Sequence, residues 1–492
     1  MTRFSLSKIG LIVVAFCAAT ALPSSAQTFT SLTGFDFTNG EGPNWLVQGT
    51  NGNFYGTTQF GGLNSWGEVF EVTPAGVLTT VYNFVCTRNL CRNGALPNTG
   101  LLLGTDGNFY GLTENGGANR SNTGTVFEIT PAGKLTTLHS FCALANCADG
   151  EYPSSLVQAT NGNFYGTTSS GGTSTFGTVF ELTRSGKLST LYSFCPGGNG
   201  GDCPDGRNPT RLIQGSNGNF YGTTYEGGAN GPAGGTIFEI TPAGTLTTLH
   251  SFCSEADCAD GASPDGLIQA ANGNFYGVTY SGGALGCDGY GCGTFFEMTP
   301  TGTLTSLYSF CAGVGCAIGP GPVVQATDGR FYGTSTGGKY GVGTAFGFSP
   351  TGSLTTLYNF CSQINCDDGR VPVTGLMQST NGTLYGTTAA GGPSPNCPLS
   401  DGCGTVFSIS VGLGPFVNTV PTSGKGGANI IILGNNLTGT TSVSFNGKAA
   451  TFIVVSDTEI TAIVPSGATT GTVKVTTPSS TLSSNVRFQV AR

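Results

Sequence analysis

Charge is scarce in this 492-residue chain: Asp, Glu, Lys and Arg make up only 9% of it, against roughly a quarter of an average soluble domain. The 18 basic residues form no run and are outnumbered by 26 acidic ones, which excludes nucleic acid as a main partner. Histidine occurs only at His139 and His250. Two equivalent copies make a Ser-His-Asp triad very improbable and leave little for a metal centre built on imidazole. Beyond residue 26 no apolar run is long enough to cross a bilayer, so no membrane span is expected in the mature chain. What is abundant is Gly, with 82 copies, beside 24 Pro. Together they exclude a mostly helical protein, while a hydrophobic content of 38% excludes disorder.

The first 26 residues read as a secretory signal. Arg3 and Lys8 precede an apolar stretch from Ile9 to Leu22, and Ser24-Ser25-Ala26 offers a small-residue cleavage site before Gln27. The rival is a lipoprotein signal, because Cys17 lies in the apolar stretch, but Phe16 stands before it where a small side chain is needed. Removal of Arg3 and Lys8 takes the net charge from −8 to −10. The expected location is outside the cytoplasm: extracellular, cell surface or periplasm.

Cysteine usage agrees with export. Of 17 Cys, 16 remain after residue 26, as the neighbour pairs Cys86/Cys91, Cys142/Cys147, Cys195/Cys203, Cys253/Cys258, Cys287/Cys292, Cys311/Cys316, Cys361/Cys366 and Cys397/Cys403. An even count in local pairs suits disulfides in an oxidising compartment. A metal site would need four converging ligands, and each pair sits in a different part of the chain. No cofactor is expected.

One motif recurs. Asn51-Gly-Asn-Phe-Tyr-Gly-Thr-Thr58 starts again at Asp106, Asn161, Asn217, Asn272, Asp328 and Asn381, at intervals of 53 to 56 residues. A fixed period of this size means a repeat architecture. The signals within one unit are all β. In the third, Ser155–Ala159 is a short apolar run, Thr160-Asn-Gly162 a tight turn, and Asn163–Thr168 a second strand. Gly177–Leu182 and Lys187–Phe194 are rich in β-branched and aromatic residues and read as third and fourth strands. Four strands (a to d) in seven units predict an all-β chain whose main part, residues 27–412, is a seven-bladed β-propeller of four-stranded blades. The ends fit a circle. Thr28–Phe35 aligns with a strand d, Phe29, Leu32 and Phe35 matching Leu135, Leu138 and Phe141, whereas the seventh unit stops after its strand c. The N-terminal strand is therefore expected to complete the last blade and hide its open edge.

Gly124-Thr-Val-Phe-Glu-Ile-Thr-Pro-Ala-Gly-Lys-Leu-Thr-Thr-Leu-His-Ser-Phe141, followed by a Gly/Asp loop, Pro153 and Leu156–Thr168, resembles the GloVer (Gloeo/Verruco) tandem repeat of exported bacterial proteins. The resemblance covers about residues 28–411 and implies no activity; the Cys pairs look like an elaboration of this chain. Residues 413–492 differ. Pro415–Gly424, Gly427–Gly434, Val443–Gly447 and Ile460–Val475 resemble an IPT/TIG domain. Short strands broken by Gly and Pro independently predict a small immunoglobulin-like β-sandwich. The resemblance implies an accessory module of the kind found in surface proteins and some polysaccharide enzymes.

Strand polarity sorts the loops. The a–b and c–d turns share one face and are short and uniform. The b–c loops and d–a connections share the other; they vary and carry all the Cys pairs. Variable loops on a rigid scaffold are where binding resides, so the b–c/d–a face is the expected ligand face. Candidate binding residues there are Glu114, Glu226, Trp66, Tyr225, Tyr280, Tyr290 and Tyr340. Aromatic faces with sparse carboxylates suit stacking on sugar rings, and packing between blades is the rival explanation. His139 and His250 stand where four other copies have Tyr and read as packing variants. The recurring Glu71, Glu128, Glu181, Glu239 and Glu297 read as structural. Asp149, Asp205, Asp260 and Asp368 precede Gly, which turn chemistry explains; calcium is the alternative, without any DxDxDG-like run. No catalytic constellation is apparent. The expectation is an exported, non-catalytic binding or adhesion protein contacting a polysaccharide or a surface protein. Two alternatives remain: an extracellular carbohydrate-active hydrolase or lyase, for which Glu114 and Glu226 would have to flank one bond, and a structural envelope component.

Overall fold

The structure, a computed structural model, describes residues 27–491 except 89, 119–121, 199–202, 284–290, 312–315, 373, 394–395 and 399–400. The secretory signal expected over 1–26, with Cys17, lies outside the described residues, as do Cys287 and Tyr290. Among the described residues the only helices are three single 3₁₀ turns, and none is long and apolar enough to cross a membrane.

Seven sheets carry the repeats. Blade 3 shows the plan: strand a Glu151–Gln158, b Phe164–Ser170, c Thr178–Leu182 and d Leu188–Ser193, each antiparallel to its neighbour. Cross-strand pairing explains the motif. Gly166 of strand b faces Phe180 of strand c, and a Cβ there would lie 2.5 Å from the Phe180 ring. Only glycine leaves room for that fully buried ring. Tyr165, beside it, faces Glu181 and donates its hydroxyl to Oε1 at 2.8 Å; Asn163 donates to the same oxygen at 2.8 Å. Tyr55–Glu71, Tyr221–Glu239 and Tyr276–Glu297 repeat this bond at 2.6–2.8 Å. The recurring Glu therefore buckles strand b to strand c in blades 1, 3, 4 and 5, whereas blades 6 and 7 carry Gly347 and Ser408 at that position. In blade 7 the same plan is completed from afar: Met377–Gln378, Leu384–Thr388 and Thr405–Ser410 form strands a to c, and Thr28–Gly34 lies antiparallel to Thr405–Ser410 as the fourth.

Three contacts repeat at the seams. Successive residues of a strand point to opposite faces, so the Phe-Tyr dipeptide of strand b serves two seams at once. Tyr55 meets Phe109, Tyr110 meets Phe164, and so on round to Tyr385 against Phe54, with ring centroids 4.1–4.3 Å apart. Leu384 takes the aromatic's place beside Tyr332. Second, the residue before the strand a proline is left-handed in every blade (Gly42, Leu96, Tyr152, Asn208, Ser263, Gly319, Val371). Its N–H crosses to the preceding blade, onto the carbonyls of Cys403, Trp66, Thr123, Phe176, Gly234, Cys292 and Val342. Those seven bonds run from each blade to the one before it, and the Gly42–Cys403 bond shuts the circle. Third, a glutamine ending strand a accepts an N–H from the preceding a–b turn: Gln158 from Thr105, Gln214 from Thr160, Gln269 from Ser216, Gln325 from Ala271, Gln378 from Thr327 and Gln48 from Thr380, at 2.8–3.1 Å.

The seam between blades 1 and 2 departs from this rule, with Leu103 in the glutamine position. The C-terminal sandwich explains the exception. Its strand Asn429–Leu433 alternates: Ile430 and Ile432 enter the sandwich core with Val443, Phe445, Ile460 and Val473. Ile431 and Leu433 instead join the propeller cluster of Tyr55, Leu103 and Phe109. A strand apolar on both faces is a strand covered on both faces. Hydrogen bonds flank the contact, from Asn435 Nδ2 to Thr380 Oγ1 at 2.7 Å and from Thr458 Oγ1 to the Thr50 carbonyl at 2.6 Å. The sandwich thus sits on the a–b turns of blades 7, 1 and 2.

Candidate functional site

The opposite face is built from the d–a connections and b–c loops. Disulfides join Cys86–Cys91, Cys142–Cys147, Cys195–Cys203, Cys253–Cys258, Cys311–Cys316, Cys361–Cys366 and Cys397–Cys403, five to eight residues apart in sequence. Four of the d–a connections, those with Cys142, Cys195, Cys253 and Cys361, have an aspartate at their centre. Asp149 is almost fully buried; it accepts the amides of Ala143 and Leu144 at 3.0 Å and lies 3.2 Å from His139 Nε2. Asp260 repeats this with Ser254, Glu255 and His250. Asp205 and Asp368 are held by Tyr192 and Tyr358. Burial alone would raise the carboxyls of Asp149 and Asp260, but the hydrogen bonds from histidine and loop amides outweigh it and hold both below the usual range. Tyr and His are interchangeable on strand d because each can place a donor on this aspartate. The Asp-Gly pairs are thus anchors for the Cys loops as well as turns, a partnership between strand d and the loop that the sequence periodicity did not reveal.

The candidate binding residues scatter over this rim. Tyr225, Tyr280 and Tyr340 are exposed, at 38%, 50% and 46%. Trp66 packs with Tyr82 and Phe84 at the seam of blades 1 and 2. Glu226 is drawn into an ion pair with Arg207 at 2.6 Å, and Glu114 accepts a long hydrogen bond from Gln59 at 3.4 Å. The two carboxyl groups are thus each engaged locally.

A cavity of about 640 Å³ opens where strands a of blades 1 to 5 converge, with Thr374 of blade 7 on its border. Tyr225 and Ser169, at the b–c end of strand b, and Asn208, at the start of strand a of blade 4, line it. Two large side chains project into it. The Arg211 guanidinium lies 4.2 Å from the centroid of the Trp45 ring, and its Nε donates to Asp265 Oδ1 at 3.3 Å. Trp45 belongs to blade 1, Arg211 to blade 4 and Asp265 to blade 5, so the ring brings together three residues far apart in the chain. Sequence reasoning missed them. The available signal was positional: they occupy the one or two places after the strand a proline, where the repeats share no residue.

Comparison with solved structures gives the fold class and no more. A streptogramin B lyase structure shares 13% identity over 78% of this chain and 97% of its own length, with a TM-score of 0.51. An extracellular domain described as part of a hybrid two component system from B. thetaiotaomicron shares 12% over 94% of this chain and 57% of its own, with a TM-score of 0.47. A luciferin-regenerating enzyme shares 12% over 79% and 97%, with a TM-score of 0.38. No curated protein matches the sequence. The family models speak for nearly the whole chain: the Gloeobacter/Verrucomicrobia repeat matches residues 19–204 and 200–407, and an IPT/TIG domain matches 415–490. A propeller built from that repeat and capped by that sandwich belongs to the Gloeobacter/Verrucomicrobia repeat family.

Proposed function

We propose that this chain is an exported, non-catalytic binding protein that holds a polysaccharide or a surface protein on the b–c/d–a face of its propeller. The observation that carries this reading is the contrast between the two faces. The a–b face is uniform and partly covered by the C-terminal sandwich. The other bears the disulfide-clipped loops and exposed Tyr225, Tyr280 and Tyr340. The seven local disulfides among the described residues support an oxidising compartment. The hydrolase or lyase alternative asks for two free carboxyls across one bond, and Glu226 is already neutralised by Arg207.

Glycan-array and surface-protein capture with the mature chain test the proposal, beside a variant carrying Tyr225→Ala, Tyr280→Ala and Tyr340→Ala. Micromolar binding that weakens by about tenfold or more in the variant is the expected outcome. Binding that the triple variant keeps, or turnover of a bound glycan, would overturn it.

A further inference from the structure

Each of the seven blades turns one residue toward the axis two places beyond its strand a proline, with one extra residue in blades 2 and 7. These are Trp45, Gly100, Ser155, Arg211, Gly266, Pro322 and Gly375. Five are small and two are large. A Cβ on Gly100 would lie 2.5 Å from the Trp45 Cβ, and one on Gly375 2.9 Å from its ring. The small residues make room for Trp45, and Arg211 lies against the tryptophan across the axis. The cavity that remains, about 640 Å³, has the volume of a sugar or short oligosaccharide site.

Its polar groups are arranged for an anion. Among the described residues Arg211 spends only Nε, on Asp265; both Nη atoms are without a partner, and the side chain is about one-third exposed, at 34%. Two Nη groups in a fixed plane match the two oxygens of a carboxylate. Trp45 on one side and Asp265 on the other fix that plane before any ligand arrives. The cavity wall also holds Asn98 Oδ1 and Thr99 Oγ1, buried with no hydrogen-bond partner among the described residues. Such orphaned oxygens are rare in native structures, and a bound hydroxyl would satisfy them after a small side-chain turn. The aromatic edge of Trp45 and the ring of Tyr225 supply apolar surface for a pyranose. The protein carries a net charge of −8, so long-range attraction does not gather anions here; recognition must come from the fork itself.

Building on the binding function proposed above, we propose that the axial cavity is a site for a carboxylated sugar, a hexuronate-type unit whose carboxylate pairs with the Arg211 Nη atoms and whose ring packs against Trp45. The unit could arrive as a free acid or as part of an acidic polysaccharide, and the two sources separate experimentally.

The test is calorimetric titration of the mature full-length chain with glucuronate, with glucose and with oligogalacturonate, for wild type, Arg211→Lys, Arg211→Met and Asp265→Asn. Arg211→Lys keeps the charge but loses the fork, and thermal melting of each variant reports whether the ring is intact. The expected result is that a uronate binds, glucose binds at least about tenfold more weakly, and both Arg211 variants lose about tenfold or more without a change in melting. Asp265→Asn keeps the fork, and binding persists. Free glucuronate binding assigns the free acid as source; binding of the oligomer alone, lost in Arg211→Met, assigns the polymer. Equal binding of glucuronate and glucose, retention of uronate binding by a folded Arg211→Met, or no uronate binding at all would overturn the proposal and leave Trp45 and Arg211 as a plug of the channel. In that case glycan or protein binding that depends on Tyr225, Tyr280 and Tyr340 would still stand, so the two readings fail separately.

Discussion

Replacing Phe35 by Ala measures how firmly the N-terminal strand is built into the ring. Phe35 is fully buried; its ring lies 5.1 Å from Phe70 of blade 1, and its N–H bonds the Gly404 carbonyl at 2.9 Å. Phe194 of blade 3 has the same setting without any closure: fully buried, 5.2 Å from Phe238 of blade 4, its N–H on Gly177 at 3.0 Å. Deleting a buried phenyl ring costs about 3–5 kcal/mol, the transfer energy plus the cavity left behind. If the strand donated from the chain's beginning is as integral as one continuous with its own blade, Phe35→Ala and Phe194→Ala lose the same amount. With a urea m-value of about 3 kcal/mol/M, each moves the unfolding midpoint down by roughly 1–1.7 M. Intrinsic fluorescence reads the transition, since Trp45 and Trp66 both lie in blade 1, the blade that the closing seam joins to blade 7. A Phe35→Ala midpoint near wild type, beside a Phe194→Ala midpoint that has fallen, would refute closure by this strand.

Two further substitutions probe the carboxyl buried in blade 1 and the docking of the sandwich. Glu68 stands where the other blades carry Thr125, Thr178, Thr236, Thr294, Thr344 and Thr405. It is fully buried with Oε1 unpartnered among the described residues, and burial, aided by the charge of Asp36 and opposed by a hydrogen bond from Thr80, pushes its carboxyl from 4.5 up to about 8. The folded state therefore holds a proton that the unfolded chain releases above pH 4.5, and stability falls as pH rises from there to about 8. Glu68→Thr removes that loss, so its unfolding free energy should pull ahead of wild type between pH 5 and 8, by an amount on the order of 2–5 kcal/mol at the upper end; parallel curves of stability against pH would contradict this. Leu433→Asp places a charge in the contact between sandwich and propeller and removes about 2–3 kcal/mol of apolar burial. Small-angle scattering should show a larger radius of gyration while the ring's melting stays put, and unchanged scattering would count against the docking described.

The ring was legible because its information is local and repeated seven times. Asn-Gly turns, the Phe-Tyr-Gly strand and the Thr-Val-Phe-Glu strand each announce a β element, and the offset of Thr28–Phe35 can be read from Leu and Phe spacing alone. What was not legible depends on neighbours supplied by other repeats. The left-handed Leu96, Tyr152 and Val371 have no turn-forming side chain to betray them; the seam amide requires that conformation. Leu103 looks like an ordinary apolar residue until Leu433 is beside it. Trp45, Arg211 and Asp265 belong to three blades, and only the closed circle makes them neighbours. Tyr225 was reachable from the sequence as a rim aromatic, but its share in the axial cavity was not.

The place where the sandwich rests has a consequence for how such chains can vary. It is made by the last blade and the first two, which are remote in sequence and adjacent only because the circle closes. Gain or loss of a unit among blades 3 to 6 would leave Thr380, Thr50 and Leu103 in contact with the same partners. Copy number and loop content on the far side of the wheel are free to drift, while the hub that carries the C-terminal module keeps its fit.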